Sequence, residues 1–357
     1  MSGMSGTSGS VLEAAAAIVS QPAVPLVEHL PLAAVERLAA EAGLPIRRDP
    51  VGNLLVGSGV ELVLVAHLDH PGFVVEVIEG DVVRLAFRGG VRAGVAVPGS
   101  AVVLHLPGVA DPVGRAVLRT VDERGGRLSA ATAEVVEGEA PVGGFAVWDV
   151  TSYEVADGRV TARACDDLVG VAAGLAALAS VSTGRASLLC TRAEEIGWFG
   201  ALEAVRVGTI PPQATVLSLE CSPMLPHAPQ GGGVIVRVGD RRSTFDPDLT
   251  DVLWQRAGDL GIAAQRRLMD GGSCEATVFC ARGLRSSGLA LPLAGYHNQP
   301  DDPAASGPAA ESVLVVDLEA EVAVLRSLCE EPPGSADRGW LEAIAADATT
   351  ALAEAPL

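Results

Sequence analysis

A change of texture near residue 74 constrains this chain more than any other feature. Before it lie two segments with helical spacing of apolar residues, VLEAAAAIVSQ and LAAVERLAAEAG, and two short strand-like runs near residues 53–56 and 62–66. From about 74 to 155 the chain holds Val-rich alternating runs instead (FVVEVIEG, DVVRLAF, SAVVLHL, GRAVLRTV, TAEVVEG), broken by Gly, Pro and Asp. That pattern predicts a small antiparallel barrel or sandwich. From 156 onward strands and helices alternate: helix DDLVGVAAGLAALASV, strand ASLLCTR, helix GALEAVRVG, strand ATVLSLECS, helix DPDLTDVLWQRAGDLG, strand RSSGLALPL and a closing helix ESVLVVDLEAEVAVLRSL. Alternation of this kind predicts an α/β domain, a sheet sandwiched by helices. Residues 12–73 and 156–330 would form it, and 74–155 would be an inserted all-β barrel domain. Residues 1–11, rich in Ser and Gly, read as a flexible leader. Residues 331–357 read as an acidic tail with a Pro/Gly hinge and one weak helix.

Composition narrows the chemistry. The formal charge is −19 over 357 residues, which disfavours nucleic-acid and anionic-membrane partners, since both require basic surface. Lysine is absent and every basic side chain is Arg. Schiff-base chemistry on lysine and GK[ST] phosphate loops are thereby excluded. The six cysteines at 165, 190, 221, 274, 280 and 329 form no C-x-x-C pair, so reduced thiols and a cytoplasmic setting are expected. No signal-peptide pattern opens the sequence, and no apolar run is long enough to span a bilayer.

Four predicted strands end in residues suited to metal. VLVA runs into His67, SLLCTRA into Glu194 and Glu195, ATVLSL into Glu220, and LALPL through a short loop to His297. Asp166 and Asp167 stand where the chain enters the helix that begins DDLVG. Ligands of open α/β sheets collect outside the carboxyl ends of the strands, so long separations in sequence are no obstacle to convergence. Each residue also has a plain structural role open to it. A lone His after a strand is commonly hydrogen-bonded surface, paired acids before a helix commonly cap it, and adjacent Glu residues in a loop are commonly solvated. Glu220 is harder to explain that way, because an unpaired carboxylate on an apolar strand is costly. Two imidazoles and three carboxylates suit zinc first, with cobalt and manganese also compatible. Five ligands exceed the needs of one catalytic zinc and fit two divalent ions sharing a carboxylate.

AHLDHPGF (66–73), ACDDLVG (164–170), RAEEIGWFGA (192–201), the acid at 220 and GYHNQ (295–299) together resemble the co-catalytic zinc exopeptidases, in particular the tetrahedral-aminopeptidase (glutamyl or deblocking aminopeptidase) family. The likeness runs in order over roughly residues 10–328. It implies a zinc-exopeptidase-like mixed sheet, two bound metals, a short peptide or amide as substrate and a homo-oligomer. Carried onto this sequence, His67 would bind one metal while Asp69 holds its ring from behind. Asp166 would bridge the two metals, Glu195 and Glu220 would be terminal carboxylate ligands, and His297 the last imidazole. Glu194 would be the general base, taking a proton from the attacking water and returning it to the leaving amine. The place of the insertion agrees: His67 and Asp166 are 99 positions apart, room for a β domain, whereas Glu220 and His297 are only 77 apart.

Several positions depart from the family pattern. His70 stands where Glu is usual, Leu168 where Arg is common, and Glu220 where aminopeptidases generally carry Asp. The insert also lacks a Gly-Pro-Pro-His stretch. Glu at the fourth ligand position accompanies carboxypeptidase or deacylase activity in related enzymes. An amidase or deacylase of N-acylated small metabolites therefore stands beside the aminopeptidase reading, and a non-catalytic homologue beside both. MDGGSCEATVF (269–279) corresponds to a Gly-Gly segment opening a helix beside the substrate, and Cys165, Cys221 and Cys274 read as small buried fillers.

Overall fold

The structure is a computed structural model that describes residues 5–302 and 304–354. The chain opens with α1 (Ser5–Val19), α2 (His29–Glu41), β1 (Ile46–Arg48), β2 (Leu54–Gly57) and β3 (Leu62–His67). A barrel of β4 (Gly72–Glu79), β5 (Val82–Arg88), β6 (Ala101–His105), β7 (Gly114–Arg124), β8 (Arg127–Gly138) and β9 (Phe145–Trp148) follows at once. The chain continues through β10 (Tyr153–Ala156), β11 (Arg159–Ala162), α3 (Leu168–Ala179), β12 (Ala186–Thr191), α4 (Phe199–Arg206) and β13 (Thr215–Pro223). After these come β14 (Val234–Asp240), α5 (Pro247–Asp259), β15 (Ala264–Met269), α6 (Glu275–Ala281) and β16 (Arg285–Leu293). It ends with β17 (Glu311–Leu314), α7 (Val315–Glu330) and α8 (Gly339–Glu354).

The main sheet is mixed, in the order β1-β2-β12-β3-β13-β16-β14-β15. Its centre, β12, β3, β13 and β16, is parallel throughout. Those four strands all point their carboxyl ends the same way, and they are the strands whose ends carry the candidate ligands. They read as continuous apolar runs because both of their faces are covered. Along β3, Leu62, Leu64 and Ala66 join the large core built with α1, α2, α3 and α7, while Val63 and Val65 face Ala201 and Ala204 of α4 and Val278 and Phe279 of α6. The period-two alternation of a strand produces that division. Helix α3 is buried on every side, which its Ala/Gly/Val/Leu composition permits.

The barrel closes in the order β4-β5-β8-β7-β6-β9. Its core centres on Phe73, which meets Phe87 and Trp148 edge-on at 4.9 and 5.0 Å between ring centroids. The fold is thus an α/β domain with an inserted antiparallel barrel, as the sequence texture implies. Three details differ from the sequence reading. Helix α1 begins at Ser5, inside the stretch read as a leader, because it continues the amphipathic helix that packs on α3. The barrel ends at Trp148 rather than near 155, since β10 and β11 form a hairpin that pairs with β17 in a separate three-stranded sheet. β17 itself, ESVL, was expected to be helical; it is extended because it pairs with β11, and α7 starts only at Val315. Among the described residues no helix is long and apolar enough to cross a membrane.

Candidate metal centre

His67 closes β3 and is buried, and its Nε2 lies 3.5 Å from Asp166 Oδ1. The other oxygen of the same carboxylate, Oδ2, lies 3.5 Å from His297 Nε2, which is also 3.0 Å from Glu195 Oε1. Asp166 therefore stands between two imidazoles with one oxygen facing each. Ligand atoms of His67, Asp166 and Glu195 lie within 4.8 Å of one another, close enough to share a cation. Glu194, Glu195 and Glu220 line the same cavity. Glu220 is set apart from the trio, with Oε1 accepting a 3.3 Å hydrogen bond from Ser218 two residues earlier on the same strand face. A second trio of Asp166, Asp167 and Cys221 adjoins the first. Cys221 thus sits closer to the acids than a mere filler would require.

The loops bearing these groups are held by buried side chains that bond to backbone. Asp69 Oδ1 and Oδ2 accept the N–H groups of Glu194 and Glu195 at 2.9 and 3.1 Å. The expected bond from its carboxylate to the His67 ring is not formed, because Oδ1 is 3.9 Å from Nδ1. The Asp69 backbone carbonyl takes that place, 3.0 Å from Nδ1. Glu28 accepts from Ala193 N and from the Arg192 guanidinium, and Asn53 Oδ1 accepts from Arg192 N. Gly200 closes the same loop: a Cβ there would stand 2.6 Å from the Arg192 backbone. Glu311 was not recognised from sequence, yet its Oε2 accepts from Cys165 N and Asp166 N, and its Oε1 from His297 N. His70 lies between the Asp166 carbonyl oxygen and Asn298 Oδ1, at 2.9 and 3.0 Å. This network holds residues in conformations the backbone disfavours. Ala193, Trp198, His297 and Asn298 all have φ between 53° and 59°, a left-handed region that persists only where surroundings over-determine it.

The donor set fits cations. Asp166, Asp167, Glu194, Glu220 and Glu275 are all buried, with His67, His297 and Arg237 as the nearby basic groups. Asp167 occupies the N-cap position of α3 but makes no capping bond, and both of its oxygens are buried without a hydrogen-bond partner. Its carboxylate instead fills the space over Gly170, where a Cβ would come within 2.3 Å. Burial pushes the Glu194 carboxyl well above its usual range, and the neighbouring Glu195, Glu220 and Glu275 push it further. Glu220 is raised to about 8 by burial, against the pull of Arg237 and His67. For His67, burial acts downward but is outweighed by Asp166, Glu194 and Asp69, so the imidazole is held well above its ordinary value. Buried acids that repel one another in this way are relieved by positive charge placed among them.

Several solved structures share this architecture. The aminopeptidase APDkam598 from the archaeon Desulfurococcus kamchatkensis superposes with a TM-score of 0.77 at 22% identity, over 91% of this chain and 95% of that one. The TET1 peptidase of Pyrococcus horikoshii, described as assembling into a tetrahedron or a large octahedral shell, gives 0.74 at 20% identity, over 90% and 100%. An M18-family aminopeptidase from Thermotoga maritima gives 0.68 at 16%, over 92% and 98%. These likenesses concern the fold. No curated protein sequence matches the chain. A family model, M42 glutamyl aminopeptidase, matches residues 127–301. That match covers just under half of the chain. The match supports a metal-dependent aminopeptidase, a hydrolase. The M42 match takes in Asp166, Glu194, Glu195, Glu220 and His297, and starts beyond His67, which the fold brings to the same point.

The buried acids of this chain make its metal-free form sensitive to pH. Burial raises Glu275, at the start of α6, to about 7 against the pull of His67 and Thr191, and raises Glu311 to about 7 as well, against the pull of His70. Unfolded, both acids titrate near 4.5. Between those values the folded chain retains protons that the unfolded chain has released, so stability falls as pH rises through that window and levels off above it. His67 and His297, held above 6.5, act in the same direction at higher pH. The metal-free protein is expected to melt about 5–10 °C lower at pH 8 than at pH 5, with Glu275→Gln flattening the slope. Thermal melts that stay level or rise over that range would contradict the assignment.

Proposed function

We propose that this chain removes N-terminal residues from short peptides, using two divalent cations held by His67, Asp166, Glu195, Glu220 and His297. The observation that carries the reading is the position of Asp166, whose two oxygens face two different imidazoles at 3.5 Å. A carboxylate so placed is suited to bridging. Zinc fits this N/O donor set best. When bound, a pair of such ions polarises the scissile carbonyl and makes an attacking water more acidic. Glu194, in the same cavity and free of the bridging geometry, takes the proton of that water and delivers it to the leaving amine. Asp69 positions Glu194 and Glu195 through their backbone N–H groups. The shell-forming TET1 relative supports a homo-oligomer, and the free cysteines support a reducing, cytoplasmic setting.

A deacylase reading rests on Glu220, a longer acid than the Asp general among aminopeptidases. Metal analysis followed by a screen of aminoacyl-anilides, dipeptides and N-acyl amino acids separates the two. About two ions per chain are expected, with turnover of free-amine substrates and at least roughly 100-fold less on their N-acetyl forms, a loss of about 2.7 kcal/mol in transition-state binding. Activity confined to the N-acylated compounds would replace the aminopeptidase reading with the deacylase one.

A further inference from the structure

The cavity that holds the acids is also lined by arginines. Its volume is about 300 Å³, and besides the acid cluster it is lined by Arg127 at the start of β8 in the barrel and by Arg241 and Arg242 just after β14. Volumes of this order lie at the small end of ligand sites. Elsewhere on the surface arginines are commonly matched with acids, as in Arg185–Glu61 at 2.7 Å and Arg206–Glu203 at 2.6 Å. The three cavity arginines have no carboxylate partner among the described residues. Arg242 lies over the Trp198 ring, 5.5 Å from guanidinium carbon to ring centroid, a cation–π placement. In a chain of charge −19, where acids far outnumber arginines, three unmatched guanidinium groups around one small cavity are a specific arrangement. The lining of one cavity thus combines a cluster of carboxylates with three arginines, groups of both charge signs around a single small space.

We propose that Arg127, Arg241 and Arg242 bind the free C-terminal carboxylate of a di- or tripeptide, and so restrict the enzyme to short zwitterionic peptides. A ligand that matches both kinds of charge within so small a cavity carries an amine and a carboxylate only a few bonds apart. A short peptide with both termini free is such a ligand, and planar guanidinium groups suit a carboxylate through paired N–H bonds. This inference rests on the aminopeptidase reading above. A carboxylate at those arginines could also be supplied by an acidic first side chain, and the test separates the two sources.

The probes are tripeptides X-Gly-Gly with apolar, polar and acidic X, each as free acid and as C-terminal amide, given to the metal-loaded protein. Amidation is expected to lower kcat/KM about 10-fold or more for every X, mainly through KM. In Arg127→Ala, Arg241→Ala and Arg242→Ala the acid-to-amide ratio should fall toward one, and Arg241→Lys should restore part of it. A second readout is thermal shift with uncleavable analogues in which the first peptide bond is reduced; the free acid should stabilise the protein more than its amide. Equal rates on acid and amide overturn this inference and leave the aminopeptidase reading standing. A preference that follows acidic X and survives amidation overturns it in favour of side-chain recognition. Hydrolysis of neither form overturns the aminopeptidase reading and this inference with it.

Discussion

Glu194→Gln is expected to bind its metal ions in full and to lose about 10³-fold in kcat, within the range of 10²–10⁴ typical for removal of a general base. The substitution conserves shape and removes the ability to accept a proton. The loop should keep its form, because Asp69 Oδ1 binds the backbone N–H of residue 194, and the carbonyl of residue 194 accepts from Gly197 N and Trp198 N. None of these bonds involves the substituted carboxyl. The acid cluster also explains why this position suits a base. Burial and three neighbouring carboxylates push Glu194 well above its ordinary value, and positive charge bound at the ligands draws it back toward neutrality. A carboxylate balanced between these effects can take a proton and give it up again in one cycle. Metal content measured beside steady-state rates decides the matter: normal turnover at full metal loading would remove Glu194 from the mechanism.

The same cluster shows which parts of the site could be read from residues alone. β3, β12, β13 and β16 are buried on both faces, so each is a continuous apolar run, and the polar residue that ends each run is conspicuous. Because all four are parallel neighbours, those residues gather on the side of the sheet where the strands have their carboxyl ends, around one cavity. Local pattern and global position thus coincide for His67, Glu194, Glu195, Glu220 and His297. The supporting groups carry no such signal. Glu311 precedes an apolar run that resembles a helix, and its task is to bind N–H groups 14 and 145 positions away, which only the fold brings near. Arg237 lies within the strand VIVRVGD, where alternation predicts an outward, solvated residue, yet it is buried close to Glu220. β15, AQRRLM, was missed for the opposite reason. It is an edge strand whose arginines remain accessible, with Arg266 paired to Asp251 at 2.7 Å, so it lacks the apolar pattern of its neighbours. Asp69 differs from the expected arrangement in its bond: its carbonyl, at 3.0 Å, meets the His67 ring, while its carboxylate, at 3.9 Å, turns to the N–H groups of Glu194 and Glu195.

Asp166→Asn and His67→Ala should separate a bridging from a terminal role. An amide keeps the size of Asp166 but loses the charge through which two cations could share one group. Both ions should therefore bind at least about 100-fold more weakly, beyond the 10–100-fold typical of groups that only support a ligand, with activity lost alongside. His67→Ala removes a donor from one side only. Asp166 Oδ2, Glu195 and His297 stay together, with His297 Nε2 still 3.0 Å from Glu195 Oε1, so about one ion per chain should remain. The stabilities should differ in the same sense. Without its cations the Asp166→Asn protein should show the pH-dependent melting of the metal-free form, whereas His67→Ala should lie between that form and the loaded enzyme. Calorimetric titration with zinc, read against metal content after dialysis, gives both stoichiometries. If Asp166→Asn kept one tightly held ion while His67→Ala lost both, the shared position would belong to His67 and the bridging role of Asp166 would be wrong.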